Sequence, residues 1–172
     1  MKTNIILIGF MGVGKGSVAR AYGKEYGIFT IDSDDLIESF DNRKIKTIFD
    51  QDGEPYFRSL ENRCASWLES SVSNTIISTG GGFYSQENIN QIGKVVLLDS
   101  SFDGIYKRIL EHPNAEKKLA KRPLFQDKAK AKELYEVRVS EYKKIADFTI
   151  NVENKTLEEV IKELNRWIIS QI

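Results

Sequence analysis

Cysteine is almost absent from this chain. Cys64 stands alone, so no internal disulfide can staple the fold, and the chain suits a reducing compartment, the cytosol. Histidine is equally scarce. His112, beside Pro113 and Asn114 in a polar turn, reads as a solvated loop residue rather than a ligand or base. There are only three prolines, and no repeat, low-complexity tract or linker interrupts the chain. No apolar run approaches the roughly 18 residues a membrane span needs. Net charge is missing too: 25 basic and 25 acidic residues cancel. No global field therefore favours nucleic acid or an anionic membrane as a partner. Met1-Lys2-Thr3-Asn4 leads directly into an apolar strand, which leaves no room for a signal peptide. With 172 residues, one domain spanning 1–172 with a sizeable core is expected.

What is present is organised around Gly9-Phe10-Met11-Gly12-Val13-Gly14-Lys15-Gly16-Ser17. This stretch follows the apolar run Ile5–Ile8 and precedes a helical pattern over 15–26. Strand, glycine-rich turn, helix is the context that gives a Walker A match its meaning. Backbone N–H groups of such a loop curl around a phosphate, and the helix N-terminus adds partial positive charge. Lys15 reaches the β- and γ-phosphates as a point charge. One position departs from the pattern: Gly16 stands where Ser or Thr should follow the lysine, and Ser17 comes one place late.

Further strands are read at 28–31, 75–78, 94–99 and 147–152. The pattern places helices at about 34–40, 45–50, from near Gly53 to 70, 103–111, 128–145 and beyond Thr156. Phe57, Leu60, Cys64, Trp67 and Leu68 form the apolar stripe of the helix after Gly53. The last helix opens with a capping box, Thr156 and Glu159, and presents Leu157, Val160, Ile161, Leu164, Trp167 and Ile168 to the core. Short, wholly apolar strands alternating with helices imply an α/β fold with a parallel sheet covered on both faces. In such sheets ligands sit at the carboxyl ends of the strands. Three strand ends here carry chemistry: the P-loop, Asp32 with Asp34, and Gly80-Gly81-Gly82.

Alternation at the second strand end sends the two carboxylates different ways, one toward a metal and one toward an acceptor. An Asp cluster before a helix is also an ordinary cap. Arg58 and Glu61, three apart on one helix, are most often a surface ion pair. Three successive glycines imply close approach to the backbone, because glycine there costs entropy. The basic, polar stretch at about 112–127, with Arg122-Pro123-Leu124, suits a lid that excludes water and carries an Arg to a phosphoryl group. Arg138 on the following helix is another candidate anion clamp; taken alone it reads as a surface arginine. Together these features describe a small kinase, with an acceptor bearing a carboxylate.

At this point the chain resembles shikimate kinases. The resemblance rests on the P-loop, Asp32-Ser33-Asp34, Gly53-Glu54-Pro55-Tyr56-Phe57-Arg58-Ser59-Leu60-Glu61, Ser78-Thr79-Gly80-Gly81-Gly82, Arg122-Pro123-Leu124, and Arg138 with Tyr142. It implies a three-layer α/β/α P-loop kinase with five parallel strands in order 2-3-1-4-5. It implies transfer of the γ-phosphoryl of ATP to the 3-hydroxyl of shikimate, on the route to chorismate and aromatic amino acids. Cysteine usage points to the cytoplasm, and a monomer is expected because no exposed apolar stripe is left over. Its small-molecule partners would be ATP and shikimate. Asp34, Arg58, Gly80, Gly81, Gly82 and Arg138 would hold shikimate, with Asp34 as base. Phe49, Phe57, Glu61, Pro123 and Leu124 would shape that pocket, within helices at about 34–62. Gly12, Val13, Gly14, Lys15, Gly16 and Ser17 would cradle ATP, Lys15 and Arg122 would stabilise the moving charge, and Arg108 and Asn154 would flank adenine. Asp32 would hold Mg2+ through water, with Ser17 the remaining hydroxyl candidate. Two rivals stay open: a kinase for another small hydroxy acid such as gluconate, and a nucleotide-binding regulator, which Gly16 alone supports.

Overall fold

A computed structural model describes residues 4–111, 113–120, 125 and 127–171. Arg122, Pro123, Leu124 and His112 lie outside the described residues. Five strands, β1 (Ile5–Ile8), β2 (Thr30–Asp32), β3 (Ile76–Ser78), β4 (Lys94–Asp99) and β5 (Phe148–Asn151), form one sheet. Their order is β2-β3-β1-β4-β5, and every pairing is parallel. The strand order implied by the family resemblance is the one observed.

The helices are α1 (Lys15–Tyr26), α2 (Ser33–Asp41), α3 (Ile45–Ser71), α4 (Ile89–Ile92), α5 (Phe102–Leu110), α6 (Ala115–Ala120), α7 (Lys128–Ile145) and α8 (Leu157–Ser170). A 3-10 turn covers Phe83–Ser85. The centre of the sheet is apolar on both faces, so helices must cover both. Ile6, Leu7, Ile76, Ile77, Val95, Val96 and Leu97 are all buried. A second, smaller core of Ile37, Ile48, Phe57 and Leu60 joins α2 to α3.

Local sequence explains the punctuation. Gly53 breaks α3 at φ 78, ψ 178, a conformation open to glycine. The two helices read from the sequence, about 45–50 and from near Gly53, are thus two helical segments meeting at a sharp kink. Gly27 caps α1 in the left-handed conformation. The capping box of Thr156 and Glu159 is complete in both directions.

Three expectations change. β2 starts at Thr30 rather than 28, because its ladder with β3 spans only Thr30 to Asp32, and Phe29 before it is 97% exposed. Trp67 and Leu157 belong to the apolar faces by spacing, yet both are exposed. Trp67 sits on the rim of a groove between α2 and α3 with Phe40 and Arg63, and Leu157 faces the crevice at the strand ends. The lysine-rich stretch contains α6.

The opposite end of the sheet is tied by Asn4, which is fully buried. Its amide donates to the Val72 and Ile92 carbonyls at 2.9 Å each and accepts from Thr75 N–H at 3.3 Å. One side chain thereby joins the starts of three neighbouring segments. Asn4→Ala should lower stability by about 1–3 kcal/mol or more, since it strands buried backbone partners. Urea unfolding measures this as a lower midpoint at unchanged slope. A midpoint equal to wild type would refute the role.

Candidate active site

Because the strands are parallel, β1, β2 and β3 all deliver their carboxyl ends to one place. Two hydrogen bonds lock the three exits together. Thr79 Oγ1 donates to the Leu7 carbonyl at 2.9 Å, and Gly80 N–H donates to Ser33 Oγ at 3.2 Å. The result is a crevice of about 500 Å³ lined by the P-loop, Asp32, Asp34 and Gly80-Gly81. A larger groove of about 910 Å³ lies at the other end of the sheet, around Tyr22, Asn90 and Ile168. Its charged residues, Lys94 and Asp147, pair with each other, so chemistry rather than size identifies the crevice as the site.

The P-loop wall is built for an anion. Gly14 caps α1 in a positive-φ conformation, with no side chain capping the helix and no acidic residue in its first turn. Its free N–H groups are therefore available to an anion. Lys15 is buried, and its ammonium donates to the carbonyls of Gly9 at 2.6 Å and Phe10 at 3.2 Å. Arg108 crosses over the loop and donates to the Val13 carbonyl at 3.0 Å. Beyond it a second groove of about 600 Å³ is lined by Arg108, Ser101, Glu153, Asn154 and Lys155. The residues expected to flank adenine thus line a groove next to the crevice, with Arg108 on the wall of both.

The triple glycine explains itself side chain by side chain. A Cβ on Gly80 would lie 2.7 Å from Asp34 Oδ1, one on Gly81 3.2 Å from Arg138 Nη1, and one on Gly82 2.5 Å from Arg58 Nη1. Each glycine makes room for one of the three groups predicted to hold the acceptor. The Tyr142 hydroxyl, one turn beyond Arg138 on α7, donates to the Gly81 carbonyl at 2.7 Å. Arg58 bonds to Glu61, bonds to Glu54 at 2.7 Å, and lies over the Phe57 ring. Phe49 stacks at a tilt on Phe57, ring centres 4.7 Å apart.

Two findings correct the local reading of these residues. The Arg58–Glu61 pair is not a surface pair, because Glu61 is only 1% exposed. Asp32 is both cap and site residue: Oδ1 accepts from Asp34 and Asp35 N–H, while Oδ2 faces Gly16, 3.4 Å from where a Cβ would stand. Sequence reasoning missed Ser33, the buried acceptor for Gly80, and Arg20, which lines the crevice. The motif Asp32-Ser33-Asp34 held the signal for Ser33; Arg20, a helix residue four after Gly16, carried none by itself.

Electrostatics single out Asp34. The residue is half-buried, but Oδ1 is shut off from solvent and has no hydrogen-bond partner among the described residues. Burial, then repulsion from Asp32 and Glu61, pushes its carboxyl from 3.8 up to about 7, against the pull of Lys15. Burial also raises Glu61, opposed by Arg58. Burial holds the Cys64 thiol at about 12, so it is an inert neighbour rather than a nucleophile.

A carboxyl raised in this way is a stability cost that grows with pH. The folded state keeps the proton that the unfolded chain has lost, so stability falls as pH rises from about 3.8 to about 7 and is level above. Asp34→Asn removes that charge. It should melt above wild type at pH 8, with the gap closing as pH falls toward 4. Each kcal/mol regained is worth about 2–4 °C in a chain of this size. Melting of the variant below wild type at pH 8 would show that the charge is fully compensated.

Comparison with known proteins gives the same assignment. The family model for shikimate kinase matches residues 11–169. The chain is 40% identical over 155 residues to the shikimate kinase of Helicobacter hepaticus, covering 90% of each. It is 38% identical over 173 residues to that of Lactococcus lactis subsp. cremoris, covering 96% of this chain and 99% of the relative. Shikimate kinase from Acinetobacter baumannii, solved in complex with shikimate, superposes with a TM-score of 0.85 at 29% identity, over 99% of this chain and 95% of the other. By fold, site geometry and sequence alike, the chain belongs to the shikimate kinase family.

Proposed function

We propose that the crevice holds ATP and shikimate side by side, with the roles assigned as follows. The reaction is that of the family: the γ-phosphoryl of ATP passes to the 3-hydroxyl of shikimate, giving shikimate 3-phosphate and ADP, within aromatic amino-acid biosynthesis. The observation that carries the site assignment is the matching of Asp34, Arg138 and Arg58 to Gly80, Gly81 and Gly82. Two guanidiniums at the end of a glycine backbone suit a carboxylate, and the buried acid beside them suits a hydroxyl.

Asp34 accepts the proton of the shikimate hydroxyl as its oxygen bonds to the γ-phosphorus. The bond from that phosphorus to the β–γ bridging oxygen breaks, and ADP leaves with the electron pair. A base near 7 is matched to this task at neutral pH. Arg58 and Arg138 grip the carboxylate, Glu61 fixes Arg58, and Phe57 with Phe49 walls the pocket. By the family resemblance Pro123 and Leu124 would shape the same pocket. Lys15 and Arg122 stabilise charge on the moving phosphoryl group. Gly12 to Ser17 cradle the phosphates, and Arg108 and Asn154 border the base. Among the described residues no helix is long and apolar enough to cross a membrane. The proposed location is the cytoplasm, which the lone cysteine suits, and the proposed state is a monomer whose balanced charge offers no field for nucleic acid or an anionic membrane.

Magnesium, when bound, neutralises the β- and γ-oxygens of ATP. The residues present fit an ion held mostly by phosphates and water. Among the described residues no group of three or more carboxylate, imidazole or thiol ligands exists, and Asp32 Oδ2 faces the P-loop at Gly16. Magnesium commonly keeps several waters, so Asp32 can act through one, with the Ser17 hydroxyl nearby on the crevice wall.

Steady-state kinetics test the clamp. Arg58→Ala and Arg138→Ala should each cut kcat/KM for shikimate by about ten- to a hundredfold, from a lost charged hydrogen bond of about 1.5–3 kcal/mol, with ATP binding retained. Unchanged shikimate kinetics in either would remove its role, and faster use of gluconate than of shikimate would overturn the substrate. Gly16→Ser should lower the magnesium concentration giving half-maximal rate at fixed ATP. Identical magnesium curves would show that the missing hydroxyl is immaterial.

A further inference from the structure

Gly16 leaves open the position from which a Walker A hydroxyl would reach, and this chain fills that position from elsewhere. An ideal Cβ on Gly16 would lie 3.2 Å from Arg20 Nη1 and 3.5 Å from Nη2, with Asp32 Oδ2 at 3.4 Å on another side. Arg20 sits one helical turn after Gly16 on α1. Helical side chains lean toward the N-terminus, which carries this guanidinium back to the P-loop. It lines the same crevice as Lys15, Ser17 and Asp34.

Two other crevice arginines are occupied: Arg58 bonds to Glu61 and Glu54, and Arg108 bonds to the Val13 carbonyl. Arg138 lies against Gly81, near the Tyr142 hydroxyl. Arg20 has no hydrogen bond or ion pair with any described residue. It is an exposed cation with all five donors free, lying beside an anion-binding loop where Gly16 leaves space for it.

We propose that Arg20 is a phosphate ligand of the nucleotide, entering where the Walker A hydroxyl would stand and supplying a fixed cation in place of part of the metal's charge. This rests on reading the P-loop as the nucleotide site. A guanidinium fork matches phosphate oxygens in pairs. Its charge is covalently attached, so it acts whether or not magnesium is present. The chain should therefore bind ADP without metal, and Arg20 should matter most under that condition.

Calorimetric titration of ADP into the full chain tests this, with EDTA and with excess magnesium, for wild type, Arg20→Gln and Arg20→Lys. The wild type should bind in both buffers. Arg20→Gln should weaken metal-free binding about ten- to a hundredfold, as for a lost charged hydrogen bond, and magnesium–ADP binding far less. Arg20→Lys should fall between, keeping charge but losing the fork. Melting of Arg20→Gln at the wild-type temperature confirms that folding is intact, as suits an unpartnered surface side chain. Equal metal-free affinity in wild type and Arg20→Gln would overturn the proposal. So would an equal loss in the two buffers, or a wild type that binds magnesium–ADP but no free ADP. Absence of magnesium–ADP binding by the wild type would overturn the nucleotide reading itself.

Discussion

The constraint on which the site depends is the meeting of Asp34 with the backbone at Gly80. A Cβ there would stand 2.7 Å from the carboxyl oxygen, inside contact distance. Once glycine permits that approach, the rest follows. Ser33 holds Gly80 by its N–H, Thr79 holds the exit of β3 to β1, and the P-loop leaves β1 beside them. Gly81 and Gly82 then receive Arg138 from α7 and Arg58 from α3. Elements far apart in sequence converge because one three-residue backbone has no side chains to exclude them.

This arrangement sets acid against acid. Asp32 and Glu61 raise the proton affinity of the buried Asp34 carboxyl, and two oxygens, Asp34 Oδ1 and Glu61 Oε1, are buried without a partner among the described residues. Such groups destabilise a fold. In the proposed role they are useful, because a carboxylate that is poorly solvated accepts a proton readily and a substrate hydroxyl would give it a partner. The adjoining cations differ: Arg58 is tied down by Glu61, Arg138 lies against Gly81, and Arg20 has no hydrogen bond or ion pair with any described residue.

Much of this was legible in the sequence because it is local. Strand, glycine turn and helix follow one another in the P-loop, the Thr156–Glu159 cap spans four residues, and the apolar strands declare a sheet covered on both faces. The illegible parts are those that depend on distant chain. Nothing near Gly80 says which side chain it accommodates. Spacing placed Trp67 in the core stripe, but the rim of the α2–α3 groove leaves it exposed. Spacing also makes Arg58 and Glu61 look like a surface pair, and only the packing of α3 buries Glu61. Arg20 looks like any helix arginine until Gly16 is seen beneath it.

The most direct test is the titration of Asp34 itself, followed by the carboxyl carbon resonance of the labelled free protein across pH, with Asp34→Asn to assign the signal. The account predicts a midpoint near 7, far above the ordinary 3.8, and a shift of that midpoint when shikimate is added. A midpoint near 4, indifferent to shikimate, would contradict it: Asp34 would then be an ordinary solvated carboxylate, and the glycine backbone would be serving something else.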